Sequence, residues 1–185
     1  MEEDEKLLLE YSRCGDVKSL AALIRRHSTW MQALLRGMLP SVADADDAFQ
    51  ESWMKVIRSA KSYRGGKVKS YLAVVARSVA IDHMRREHGF VSLDAEEGEG
   101  HTVAVTASAA EPTPGEMLEH KMTSEDVRRA VRALPERMRQ VLLMRIEGDL
   151  SFKEIADALG VPLGTALTWM HNATIKLRKM LGGGR

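Results

Sequence analysis

The chain is poor in most of the features that commit a protein to one chemistry, beginning with cysteine. Cys14 is its one cysteine in 185 residues, which excludes an internal disulfide and a zinc site built from thiolates and fits a reducing cytoplasm. It also has no evident base partner that would make it a nucleophile. Aromatics reach only 5% and few stretches alternate apolar with polar residues, so helices are expected rather than a β core. No apolar run approaches the roughly 18 residues of a membrane span, and the start Glu2-Glu3-Asp4-Glu5 is acidic where a secretory leader would be basic. What is plentiful is charge, at 29%, alongside 44% hydrophobic residues that can fill one good core or two small ones.

The net charge is only +1, but it is unevenly spread. Residues 1–56 carry seven basic and ten acidic groups, 61–86 seven and one, 87–125 one and nine, and 126–181 ten and six. Two basic blocks either side of an acidic one point to a polyanion partner. The first block opens with the loop Tyr63-Arg64-Gly65-Gly66-Lys67, and from Tyr71 no glycine or proline intervenes until Gly89, which predicts a helix of several turns. Tyr71, Ser78 and Arg85 recur every seven residues and share a stripe, with Asp82 beside it. Leu72, Val75 and Val79 make one apolar side, Val74 and Ile81 another. Cations to hold phosphate and a ring to stack on an unpaired base are what a single-strand binder needs. A core helix with a solvated basic rim has the same composition.

Ahead of that block, Leu7, Leu8 and Tyr11 predict a helix from Glu3 to Arg13, ended by Gly15. Asp16 is the expected N-cap of a second helix carrying Leu20, Leu23, Ile24, His27, Met31, Leu34, Leu35 and Met38, a stripe of the kind that packs on other helices. His27 is read as a core-edge residue rather than a ligand. After Pro40-Ser41 a third helix, Val42 to about Ala60, turns Ala45, Ala48, Phe49, Ser52, Trp53, Val56 and Ile57 inward. Its first turns hold Asp44, Asp46, Asp47 and Glu51, which complement the helix dipole and would equally suit a basic docking surface beside Gln50.

From 88 to 115 periodicity disappears into Glu96-Glu97-Gly98-Glu99-Gly100, a small-residue run and Pro112-Thr113-Pro114-Gly115, the composition of a flexible acidic linker. Helix signals return at Glu116, with Met117, Val127, Val131 and Leu134 apolar and Pro135 as a stop. A helix over Glu136–Glu147 ends at Gly148. Ser151-Phe152-Lys153-Glu154 is a capping box opening a short helix, Gly160-Val161-Pro162 is a turn, and a second helix runs from Leu163 to Leu181. This spacing predicts a helix-turn-helix whose second helix enters a major groove, with Gly164 and Thr165 suited to a phosphate. An ordinary helical hairpin is the alternative.

Taken together these motifs resemble one family, the extracytoplasmic-function (ECF) group of bacterial RNA polymerase sigma factors. Asp44 to Trp53 resembles the family's helix that docks on the polymerase clamp. Tyr63-Arg64-Gly65-Gly66, Tyr71-Leu72, Ala76 to Asp82 and Arg85-Arg86 resemble its −10 reading and melting segment. Leu134-Pro135-Glu136-Arg137, Leu150 to Ala156, Leu159 to Pro162, Gly164-Thr165 and His171 resemble its −35 reading domain.

The resemblance implies an all-α chain of two small helical domains, residues 1–87 and 121–185, joined by a flexible acidic linker over 88–120. It implies a cytoplasmic, non-enzymatic initiation factor without cofactor or metal. Its partners would be core polymerase (clamp and flap), promoter DNA and an anti-sigma factor. Polymerase contacts fall to Asp44, Asp47, Gln50 and Glu51. The −10 contacts fall to Tyr63, Arg64, Lys67, Tyr71, Arg77, Ser78 and Arg85, and the −35 contacts to Gly164, Thr165, Thr168, Trp169, His171, Asn172 and Lys176.

The chain departs from the family's pattern at defined places. Tyr71 stands where Trp is usual and Ser78 where Asn is usual; tyrosine still offers a stacking face, whereas serine cannot make a bidentate amide contact. In the recognition helix Leu167, Trp169, Asn172 and Thr174 stand where cations are common, so its salt dependence should be shallow. Leu167 and Trp169 are left to read a thymine methyl, the duplex backbone or another protein. Two other classes fit parts of the chain. A stand-alone helix-turn-helix regulator would dimerise and bind duplex without polymerase, and a metalloenzyme would use Asp82, His83, Glu87 and His88.

Overall fold

The computed structural model describes residues 3–88 and 123–182, so the expected linker, apart from His88, and Met117 lie outside the described residues. Helix α1 (Glu3–Cys14) opens with three acids at the positive end of its dipole and stops at Gly15, whose φ of +70° turns the chain. Asp16 caps α2 (Val17–Met38), its carboxylate accepting from the amides of Lys18 and Ser19 at 3.2 and 3.1 Å. Leu20, Leu23, Met31, Leu34, Leu35 and Met38 are the buried stripe of α2.

His27 was expected at the core edge and lies inside it, 5% exposed. It is accommodated because both ring nitrogens are satisfied: Nε2 donates to Asp4 Oδ2 at 3.0 Å and Nδ1 accepts from Trp30 Nε1 at 2.9 Å. Burial pushes its pKa below the ordinary value against the pull of Asp4, in keeping with a neutral ring.

Ser41 caps α3 (Val42–Ser59), its hydroxyl accepting from the Asp44 amide at 3.0 Å. A 3-10 turn over Ala60–Ser62 leads through the basic loop into α4 (Val68–His88), which starts three residues before Tyr71. Leu72, Val75 and Val79 face inward together with Ala73, Ala76 and Ala80, whereas Val74 is 40% exposed. In the C-terminal group α5 (Ser124–Arg132) begins with a Thr123/Asp126 capping box, α6 (Glu136–Ile146) follows Pro135, and α7 (Phe152–Leu159) and α8 (Leu163–Met180) make the helix-turn-helix. Of the apolar residues expected here, Leu134 is buried and Val127 is exposed. No described helix is long and apolar enough to cross a membrane.

The two groups of helices close on each other, an arrangement the sequence left open. One apolar core runs from Leu8, Leu34 and Leu35 into Val141, Leu143 and Met144, with α2 meeting α6 and α4 meeting α7. Gly37 makes this approach possible: a Cβ built there would lie 2.6 Å from Leu143 Cδ2. Burying a leucine in this way contributes about 1.5–3 kcal/mol.

Candidate nucleic-acid interface

The basic loop is shaped by two glycines. Gly65 and Gly66 have φ of +105° and +113°, conformations side-chained residues rarely adopt, and α1 pins them through the Gly66 amide, which donates to Glu5 Oε1 at 3.1 Å. Tyr63 closes the loop by donating its hydroxyl to the Gly66 carbonyl at 2.6 Å. Its ring lies 5.3 Å from that of Tyr71, whose hydroxyl shares a 2.6 Å hydrogen bond with Ser59. Two half-buried rings with their polar ends tied back stand beside exposed Arg64 and Lys67. That combination can stack an unpaired base and hold the adjoining phosphates.

Further along α4 the expected stripe divides. Ser78 accepts from Lys55 Nζ at 2.9 Å, so its environment gains a cation that sequence reading missed; Lys55 reaches it from α3, and no spacing within one helix signals such a contact. Arg85 is exposed. Arg77 turns away from solvent, its Nε donating to Oε1 of the buried Gln140 in α6 at 2.9 Å. Burial, and then Arg137 nearby, lower its pKa, though an arginine so placed keeps its charge.

A second link between the groups centres on Glu154 of α7. Oε1 accepts from Ser70 Oγ at 3.0 Å and pairs with Lys67 at 3.3 Å, while Oε2 accepts from the Ser151 amide at 2.9 Å and from the Ser151 hydroxyl. Burial pushes this carboxyl up, but the bonds from Ser151, Ser70 and Lys67 outweigh it and hold the pKa at about 2. Beside this link Lys67, Ser70, Tyr71 and Val74 face Ser151, Lys153, Glu154 and Asp157 across an open groove of about 440 Å³. Lys67, Tyr71 and Arg77 of the −10 set thus stand at, or within, the contact with the helix-turn-helix group.

On α3, Asp44, Asp47 and Glu51 fall on one face by their spacing, with Gln50 adjacent and exposed. Glu51 bridges to α4 through His83 Nε2 at 2.9 Å and Arg86 Nη2 at 3.2 Å. Partial burial raises its pKa, and the His83 and Arg86 contacts more than reverse that, leaving it lowered. The same helical face continues to Met54, 47% exposed, an apolar residue off the core stripe that sequence reading passed over. His83, one of the proposed metal ligands, is committed to Glu51.

In the helix-turn-helix, the Glu154 amide donates to Ser151 Oγ at 3.3 Å, completing the capping box, and Gly160 turns the chain at φ +67° with the Val161 amide donating to the Ala156 carbonyl at 3.0 Å. The Thr165 amide donates to the Pro162 carbonyl at 3.0 Å, which leaves the exposed Gly164 as the better-placed backbone for a phosphate. His171 and Lys176 are exposed and Asn172 half-buried. Trp169 packs against the core with the Arg137 guanidinium 6.0 Å from its ring. It is half-buried, with part of its surface held against the core.

The sequence matches two family descriptions, Sigma-70 region 2 over residues 23–89 and Sigma-70, region 4 over residues 124–177. It is 30% identical over 160 residues to the ECF RNA polymerase sigma factor SigE of Mycolicibacterium smegmatis, covering 86% of this chain and 60% of that protein. To the ECF RNA polymerase sigma factor SigW of Bacillus subtilis it is 27% identical over 184 residues, 98% of each. Its fold is similar to the sigma factor RpoE of Bartonella quintana, solved with the anti-sigma factor NepR, at a TM-score of 0.69 and 19% identity over 91% of this chain and 100% of the other. It is also similar to CnrH, solved with the cytosolic domain of CnrY, at a TM-score of 0.70 and 16% identity over 99% and 100%.

Proposed function

This chain belongs to the ECF group of RNA polymerase sigma factors, and from that membership we propose how its residues divide promoter-specific initiation among themselves. It is a non-catalytic initiation factor of the cytoplasm, and chemistry on the template is the polymerase's. The acidic face of α3, through Asp44, Asp47, Gln50 and Glu51, docks on the polymerase clamp, with Met54 adding an apolar contact. The loop and α4 hold the opened −10 strand: Tyr63 and Tyr71 stack a base, and Arg64, Lys67, Arg77, Ser78 and Arg85 line the path of the strand. Stacking contributes about 1–3 kcal/mol per base, which offsets much of the few kcal/mol needed to extrude one. In α8 Gly164, Thr165, Thr168, His171, Asn172 and Lys176 meet the −35 duplex, and Trp169, held partly against the core, supports the helix. The groups 1–87 and 121–185 act as the two DNA-facing domains, with the polymerase flap receiving the second.

The observation that carries this reading is the paired Tyr63 and Tyr71 rings beside a cationic loop, followed in the chain by a capped helix-turn-helix. The closed arrangement adds a condition. Arg77 reaches the strand only after releasing Gln140, so engagement with polymerase and promoter separates the two domains. RpoE was solved with the anti-sigma factor NepR and CnrH with the cytosolic domain of CnrY, and an anti-sigma factor that favours the closed form would silence this chain too. The test is open-complex formation on a fork-junction promoter by core polymerase with this chain as the added specificity subunit. Duplex binding by the chain alone, with polymerase unaffected, would instead establish a stand-alone regulator.

A further inference from the structure

We infer that α8 reads thymine methyl groups in the −35 duplex through Leu167 and the methyl of Thr168, so that the upstream element is selected by apolar contact. The inference rests on the sigma-factor reading above and specifies how its second domain discriminates sequence.

Leu163, Leu167 and His171 lie four residues apart and therefore stand one above another along α8. Leu163 is 47% and Leu167 43% exposed, while Ala166 and Ala173, which turn toward the core, are fully buried. Thr168, next in the chain, is half-buried, and its hydroxyl is already committed, donating to the Gly164 carbonyl at 2.9 Å. That leaves its methyl as the group free to touch a partner. Trp169, the other large apolar residue in this turn, is held partly against the core.

The N-terminal turns of a recognition helix are the part that reaches base edges. Here, from Leu163 to Thr168, they hold no Arg, Lys, Asn or Gln. A bidentate contact to guanine or adenine is therefore unavailable from those turns, and the apolar feature of the major groove is the thymine methyl. The cations stand on α7, at Lys153, and on the later turns of α8, at Lys176, Arg178 and Lys179, all exposed. Apolar first turns followed by basic later turns suit a groove floor lined by methyls beside charged phosphates.

The test uses holoenzyme assembled from core polymerase and the full chain on a promoter chosen by selection from a randomised −35 region. Each −35 thymine is replaced singly by deoxyuridine, which removes the methyl and keeps base pairing. Wild type is expected to lose roughly threefold to fivefold in affinity at one or two positions, the worth of one buried methyl-sized group. Leu167→Ala is expected to bind the thymine promoter at the level wild type shows with deoxyuridine, and to be indifferent to the exchange. Thr168→Ser, which keeps the capped hydroxyl and deletes the methyl, should lose a second, separate part of the sensitivity. Leu167→Arg should move the selected base toward guanine. Equal affinity for thymine and deoxyuridine by wild-type holoenzyme that initiates normally would overturn the methyl readout and leave the sigma-factor reading standing. Holoenzyme that initiates nowhere would overturn both.

Discussion

Replacing Gly37 by alanine should pry the two domains apart without touching a charge or a DNA-facing residue. The added Cβ would sit 2.6 and 2.7 Å from the two methyls of Leu143 and 3.2 Å from its Cγ, against an ordinary carbon–carbon separation of about 3.5–4.0 Å. Leu143 is 6% exposed, so its side chain must move within a packed core. Overpacking of this kind costs about 1–3 kcal/mol, and a shift of that size raises the open-to-closed ratio by a factor of roughly 5 to 150. Alanine also improves the interior of α2 by roughly 0.5–1 kcal/mol, but that gain is common to open and closed forms and cancels from their ratio. The assay is an interdomain distance distribution between a label on the exposed Cys14 and one on a Lys179→Cys variant, with small-angle scattering as a check. The Gly37→Ala protein should show a broadened, longer distance and a larger radius with its helix content retained. An unchanged distance together with a raised Tm would refute the reasoning, because only the helix-propensity gain would then be visible.

Acid should loosen the same contact through Glu154. Its folded pKa of about 2 lies below its ordinary value of 4.5, so its stabilisation is complete above about pH 5 and is lost as pH falls towards 2. The shift corresponds to roughly 3 kcal/mol at most, shared between the α7 cap and the contact with Ser70 and Lys67. Glu154→Gln followed by thermal melts from pH 7 to pH 3 should flatten that dependence. Tyr71→Ala should lower open-complex formation on a fork-junction template by roughly 5-fold to 150-fold, the worth of one stacked base, and Tyr71→Trp should retain it; equal loss in both would point to folding instead. Asp47→Lys, on an exposed position of α3, should weaken binding to core polymerase in a pull-down while leaving the Tm within about 0.5 kcal/mol equivalent of wild type. Unchanged capture would remove that face of α3 from the docking surface.

Most of the fold was legible because it is written in local signals. Asp16, Ser151 with Glu154, and Gly160 each act within a few residues of themselves, and the α2 stripe announces its buried face through period alone. What was not legible depends on partners distant in sequence. The charge count gave no hint that Arg77 would meet Gln140 or that Lys67 and Ser70 would meet Glu154, because those pairs are brought together by the closure of α4 on α6 and α7. His27 was placed at the core edge because a histidine on an apolar stripe carries no sign of Asp4 and Trp30 waiting for its two nitrogens. Val74 and Val127 counted as apolar faces, yet each is turned to solvent, since composition cannot say which of two apolar sides a neighbour will cover. For the site, residue types at Tyr63, Arg64 and Tyr71 pointed to the stacking pair, while Lys55 and Met54 became visible only when α3 was laid beside α4 and its outer face could be seen.

Promoter opening is the most direct measurement of what this chain does. Purified core polymerase, this chain and a template bearing its selected −35 and −10 elements should together yield run-off transcripts of one defined start, with −10 thymines reactive to permanganate. The yield should fall with Tyr71→Ala and with Asp47→Lys. Transcripts of the same start from core enzyme alone, or none on any selected template with the chain present, would contradict it.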